Sequence, residues 1–160
     1  MQTQVKTIAS KTFIGKRVNM SFANNFTYQL WNVFMPRRSE IKNQVGSELY
    51  SAEIYPPGFF KAFDPTAQFE KWAAVEVSAT YLIPDGMEAL HSPEGLYAVF
   101  LFKGTTADAP AFYNKIFSEW LPANGFTVDD RPHFAVLGAN YKHNDPESEE
   151  EICIPVKAIS

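Results

Sequence analysis

Residues 26–36 read FTYQLWNVFMP, and residues 112–122 read FYNKIFSEWLP. Phe26, Leu30, Trp31, Phe34 and Met35 in the first stretch, and Phe112, Ile116, Phe117, Trp120 and Leu121 in the second, place large apolar residues at i, i+4, i+5, i+8 and i+9. Pro36 and Pro122 follow at once. The spacing predicts an amphipathic helix of about three turns in each, ended by a residue that has no N–H to continue the ladder. Asn24 or Asn25 offers an N-cap to the first helix, and Asp108 to the second, with Pro110 tolerated in its first turn. The constant offset of 86 residues marks an internal repeat.

The flanks repeat as well. A strand precedes each helix, at residues 11–20 and 95–102, and another follows at 48–55 and 133–141. Asp64-Pro65 and Asp145-Pro146 then lead into closing strands at 71–79 and 150–158. Period 2 puts Ala73, Val75 and Val77 on one face of the first closing strand and Trp72, Ala74 and Glu76 on the other; Ile152, Ile154 and Val156 form the apolar face of the second. Each half is therefore strand, helix, strand, strand. The predicted half-repeats cover about 5–83 and 94–158 within one unit spanning 1–160. Pro56-Pro57-Gly58, Pro84-Asp85-Gly86, Ser92-Pro93-Glu94-Gly95 and Ala123-Asn124-Gly125 carry turn chemistry, and the half boundary is too short for a flexible linker, so both halves are expected to share one sheet.

A chain of 160 residues fits one domain and can bury a substantial core. Its 46% apolar and 20% charged residues exclude a disordered tail, a collagen-like repeat and a disulfide-stapled miniprotein. Rings are in excess: 14 Phe, 7 Tyr and 3 Trp make up 15% of the chain, more than a core of this size needs. The single Cys153 cannot form an internal disulfide and reads as a structural thiol, which points to the cytoplasm. No apolar run approaches the roughly 20 residues of a membrane helix, and residues 1–10 lack a signal-peptide core, so no membrane association is expected. Residues 1–80 hold 9 Lys and Arg against 6 Asp and Glu, or +3, while residues 81–160 hold 5 against 12, or −7. An acidic half without a basic stripe argues against direct nucleic-acid binding.

Other chemistries lack their motifs. His91, His133 and His143 show no metal-ligand spacing with Cys153 or with one another and read as surface or turn histidines, so neither metal nor cofactor is expected. Lys103-Gly104-Thr105-Thr106 is not a phosphate loop, and no Gly-x-Ser-x-Gly elbow occurs. Asp129-Asp130-Arg131-Pro132 reads as a turn with a local ion pair. Arg37-Arg38 reads as a favourable charge at the end of the first helix or a contact for an acidic partner.

Leu96-Tyr97-Ala98-Val99-Phe100 opening the second half, Trp120-Leu121-Pro122 closing its helix, and the ending Glu151-Ile152-Cys153-Ile154-Pro155-Val156 complete a plan that resembles the GyrI-like small-molecule-binding domain. That domain is also the effector-binding half of many AraC-type and MerR-type transcription regulators. The resemblance runs from about Val5 to Ala158. It implies an α+β fold in which duplicated half-units form a curved antiparallel sheet with two main helices and a ligand cleft between the halves. Such regulators carry a helix-turn-helix domain on the same chain, and no residues remain here for one. The expectation is a stand-alone effector domain without direct promoter binding, which leaves a separate regulator or protein as partner.

The resemblance further implies a ligand, because members of the family often bind lipophilic cations between aromatic walls and a buried glutamate. A ring face attracts a cation by about 0.5–2 kcal/mol, and the carboxylate supplies the counter-charge. Glu76 is the candidate acid: it stands between Val75 and Val77, a poor place for a charge unless its face lines a cavity, with Trp72 earlier on that face. The alternative is a solvated face. Glu151 is the acid of the second half, or simply part of the acidic run 147–151. Phe26, Leu30 and Phe34, with Phe112, Ile116 and Trp120, are helix stripes of the core kind; Trp31, Met35, Tyr113 and Phe117 fall beside them, where helices flanking a cleft present rings to it. Tyr97 would orient a ligand through its hydroxyl or reach water. The expected function is thus a non-enzymatic binding protein for small hydrophobic, cationic molecules. Two alternatives are hydrolysis of strained electrophilic toxic compounds, with Glu76 as the catalytic acid or base beside Trp72, and inhibition of a protein by surface contact.

Overall fold

Alternation of apolar and polar residues builds strands, and the two i, i+4 stripes build helices. The computed structural model describes residues 2–62, 64–143 and 145–159; Met1 and Ser160, the outer bounds of the expected unit, lie outside the described residues. Its strands are β1 (Thr3–Ile8), β2 (Lys11–Met20), β3 (Leu49–Ile54), β4 (Phe69–Val77), β5 (Glu88–Ser92), β6 (Gly95–Lys103), β7 (Phe126–Val128), β8 (His133–Leu137) and β9 (Glu149–Ala158). Helix α1 spans Thr27–Phe34 and α2 begins as Ala109–Lys115. The fold is α+β, a large curved antiparallel sheet that is not closed into a barrel and carries two helices.

The strand order is β1-β6-β9-β8-β3-β4-β2-β5, with β7 beside β9. From the central β3–β8 pair outward, β3-β4-β2-β5 runs one way and β8-β9-β6-β1 the other. Each half therefore gains a leading strand, β1 or β5, and the two are exchanged: β1 pairs with β6 and β5 with β2. Ile8 faces Gly95 and Lys11 faces Ser92, so three steps along one chain match three steps back along the other. Two long strands thus cross both halves in a single register. Ser92-Pro93-Glu94-Gly95, expected as a turn, is a kink in one of them, because Pro93 has no N–H for the ladder.

Neither proline stops its helical segment as expected. After α1 the chain continues as a 3-10 segment, Met35–Glu40, with Pro36 in its first turn. After α2 it continues through a π turn, Ile116–Trp120, into a last α turn, Leu121–Ala123. The Leu121 N–H donates to the Ile116 carbonyl five residues back, and this shift of register accommodates the missing N–H of Pro122. The caps differ too. Phe26 holds the cap position of α1, although the Asn25 side chain accepts from the Thr27 N–H at 2.9 Å. Asp108 holds that of α2 but turns its carboxylate back to Thr105, at 2.9 and 3.1 Å. Arg37 binds Glu40 at 2.8 Å and the Asp85 carbonyl at 2.7 Å, and Arg38 donates to the Ser47 carbonyl at 2.6 Å, so both tie down loops rather than cap α1.

Away from the mostly exposed β1 and β5, the sheet carries buried cores on both faces. On the helix face, Leu30 and Phe34 pack against Ile14, Ala73, Val75 and Val77, while Ile116 and Leu121 pack against Ala98, Phe100, Ile152 and Ile154. The inner face collects Phe13, Tyr50, Trp72, Tyr97, Phe134 and Cys153 from both halves. Burial pushes the Cys153 thiol up to about 12, so it is held as the neutral thiol. Burying each large apolar side chain contributes about 1.5–3 kcal/mol. Two cores on the helix face and a third inside the curve leave one stretch of the helix face uncovered by either helix stripe, over β3 and β8.

Candidate functional site

Strand pairing decides which acids share a surface. Ala73 lies opposite Ser51, Ser51 opposite Ala135 and Ala135 opposite Ile152, so these residues line one face. By alternation Lys71 on β4, Glu53 on β3, His133 on β8 and Glu150 on β9 join it. Glu53 is directly opposite both Lys71 and His133. This is the helix face, between the two helix-packed cores.

Glu53 is only 8% exposed, and the Lys71 ammonium donates to its Oε2 at 3.0 Å. Glu150 feels both: Lys71 draws its carboxyl down and Glu53 pushes it up, but burial is the larger effect and holds it above the ordinary value. Two acids and one base therefore share a partly dehydrated floor. His133 is buried rather than on the surface, as the spacing of histidines had suggested; burial, with the nearby Arg131 charge, pulls its imidazole down to about 3 and keeps it neutral.

Rings cover this floor. The loop after β3 turns at Pro56-Pro57-Gly58, where Gly58 has φ 79°, and delivers Phe59 and Phe60. Phe60 stacks on Phe117 at 4.7 Å and on His133 at 5.6 Å; Tyr55 meets His133 edge-on at 4.8 Å and Phe60 at 4.8 Å. Tyr113 lies parallel to Phe117 at 6.4 Å. Burial first and the Glu53 charge second push the Tyr55 and Tyr113 phenols well above their ordinary value, so both are neutral donors beside that acid. Glu150 also borders a cavity of about 60 Å³ with Phe102, Thr105, Tyr141 and Ser148.

The expected site residues fall in three places. Tyr113 and Phe117 belong to this ring cluster. Trp31 packs edge-on to Phe34 in the first-half core, and Met35 is 42% exposed. Glu76, Trp72 and Tyr97 lie on the inner face. There the Glu76 carboxylate already has a counter-ion, Lys11 at 3.2 Å, and accepts from the Tyr50 hydroxyl at 3.3 Å. Trp72 is 3% exposed, and its indole N–H donates to Glu70, not Glu76. Tyr97 is fully buried; its hydroxyl donates to the Pro132 carbonyl at 3.0 Å and lies 3.1 Å from the Ser92 hydroxyl. Glu151 borders an open depression of about 280 Å³ beside β1, with Lys6 and Val99.

Arg131 is more than the local ion pair its turn suggested. It binds Asp129 at 3.1 Å, donates to the Leu96 carbonyl at 2.7 Å and lies 4.7 Å above the Tyr97 ring, its guanidinium lodged where a Cβ on Gly95 would sit. The residues passed over in the sequence are Glu53, Tyr55, Phe60, Lys71, His133 and Glu150. Glu53 carried the same signal as Glu76, an acid between the apolar Ala52 and Ile54 of an alternating strand. Among the described residues no group of three or more His, Cys, Asp or Glu side chains could hold a metal ion, and no helix is long and apolar enough to cross a membrane.

Known proteins agree with this architecture. SAV2435, whose structure was solved bound to tetraphenylphosphonium, is 17% identical with a TM-score of 0.63, over 98% of this chain and 94% of its own. The EcmrR C-terminal domain is 16% identical with a TM-score of 0.69, over 99% and 98%. A hydrolase from Listeria innocua, encoded by lin2189, is 12% identical with a TM-score of 0.61, over 98% and 92%. At such identities the likeness is one of fold. No curated protein matches the chain. The model of the GyrI-like small molecule binding domain matches residues 1–157, nearly the whole sequence, and so the chain belongs to the GyrI-like small-molecule-binding domain family.

Proposed function

We propose that this small-molecule-binding domain takes up a hydrophobic cation in the groove over β3 and β8. The observation that carries the reading is the partly dehydrated Glu53–Lys71–Glu150 floor beside the rings of Tyr55, Phe60, Tyr113 and Phe117. Ionising Glu150 without a partner costs free energy, and an incoming cation removes that cost while each ring face adds about 0.5–2 kcal/mol. SAV2435 with its bound tetraphenylphosphonium supports a ligand of this class. Phe60, from a loop and 38% exposed, is the ring placed to move aside on entry.

Thermal melts with tetraphenylphosphonium and with neutral triphenylphosphine oxide test the reading. A ligand at 100 times its Kd stabilises the fold by about 2.7 kcal/mol, a shift of several degrees. The cation should give this shift, and Glu150→Gln should weaken it about tenfold while leaving the neutral compound unaffected. Equal shifts from both compounds, or none from either, would overturn the proposal. A second reading, hydrolysis of a strained electrophile, is favoured by one feature: burial raises the Glu150 carboxyl above its ordinary value, the direction a carboxylate general base requires. Turnover of such a compound, lost in Glu150→Gln, would establish it.

A further inference from the structure

The base in the floor has its own consequence. Lys71 is set within the sheet with its side chain 16% exposed, and it forms an ion pair with Glu53, whose side chain is 10% exposed. Neither partner is a flexible surface group, so this pair is part of the groove whether or not a ligand is present. Glu150 is the second acid in the field of Lys71. His133, Tyr55, Tyr113 and Tyr141, which also face the floor, are neutral, and Arg131 is committed to Asp129, the Leu96 carbonyl and the Tyr97 ring.

From this arrangement we infer that Lys71 is a specificity-determining residue: by cancelling Glu53 it leaves the groove one negative charge, held by Glu150, and so selects ligands with a single positive charge over dications. The inference rests on the cation-binding reading above and adds the charge count. A buried group left without its opposite charge is costly, and that cost enforces the count in both directions. A dication would bring a charge with no acid to meet it. A neutral ligand would leave Glu150 to take a proton.

Two biaryl compounds of similar shape, differing by one methyl group in length, separate the possibilities, 1-methyl-4-phenylpyridinium as monocation and 1,1′-dimethyl-4,4′-bipyridinium as dication. Their affinities are measured by titration calorimetry at one ionic strength. The parent protein should prefer the monocation. Lys71→Met, with two acids and no base, should shift the ratio of affinities toward the dication by about tenfold or more. Lys71→Met combined with Glu53→Gln restores a single negative charge and should restore the parent ratio. Glu53→Gln alone leaves the floor neutral and should weaken the monocation about tenfold, which keeps the idea testable if Lys71→Met fails to fold. A parent that binds the monocation, with a ratio unmoved by Lys71→Met or not restored in the double variant, overturns the role of Lys71 alone. A parent that binds neither cation removes the cation reading and this inference with it.

Discussion

His133 shows how much a single side chain's surroundings decide. A neutral imidazole stacked on Phe60 and met edge-on by Tyr55 takes a proton far less readily in the folded chain than in the unfolded one. Its folded value, about 3, lies below the ordinary 6.5, so the unfolded chain binds the proton first as pH falls. The stability His133 contributes is full above pH 6.5 and is lost progressively on acidification toward 3, at up to about 1.4 kcal/mol per pH unit. Melting temperatures between pH 7 and 4 should fall less steeply in His133→Phe, which keeps the stack and removes the titration. Parallel curves for variant and parent would refute this. That burial was invisible in the sequence, where a histidine following Arg131-Pro132 looks like part of a turn; only the pairing of β8 with β3 puts it under the rings. Gly95 was equally silent, since its need for a missing side chain comes from Arg131, 36 positions on.

Among the elements, those with a one-sided core were readable. The α1 and α2 stripes, and the alternation of β2, β3, β4, β6 and β9, follow from burial of a defined face. β1 and β5 were not, because most of their residues are exposed and no apolar face sets their period. For the candidate site, helical periodicity singles out a second face that carries Tyr113 and Phe117, and these rings lie beside Phe60. Glu53 and Glu76 carry the same signal in the sequence, because alternation alone does not say which face of a strand turns toward the helices. In the β3–β4 loop Pro56-Pro57-Gly58 marks a turn, but local sequence does not show where Phe59 and Phe60 are delivered. Phe60→Ala should lower tetraphenylphosphonium affinity about five- to tenfold, chiefly through faster dissociation, with little loss of stability because the ring is partly exposed. Unchanged dissociation in a stopped-flow displacement experiment would show that Phe60 does not cover the ligand.

For the whole molecule, the uneven charge of the two halves meets in the groove: Lys71 comes from the half at +3 and Glu150 from the half at −7. The raised carboxyl of Glu150 means that the folded protein holds a proton the unfolded chain has already lost. Its contribution to stability is therefore greatest at acid pH and fades as pH rises through the raised value, opposite in sign to His133. A cation favours the ionised form, so cation affinity should climb over the same interval and binding at its lower end should expel a proton. Calorimetric titrations in two buffers of different ionisation enthalpy measure that release directly. Buffer-independent heats, or a release that survives in Glu150→Gln, would remove Glu150 from the linkage.

The exchanged strands β1 and β5 bear on where such a chain comes from. Each half sends its first strand to the other, so an ancestor of half the length would have had no partner for that strand within its own fold. It would have existed as an intertwined pair of identical subunits, with any ligand on or near their symmetry axis. Joining two such copies through the Pro84-Asp85-Gly86 turn would free them to diverge, so that a symmetric pocket could acquire a lysine on one side only.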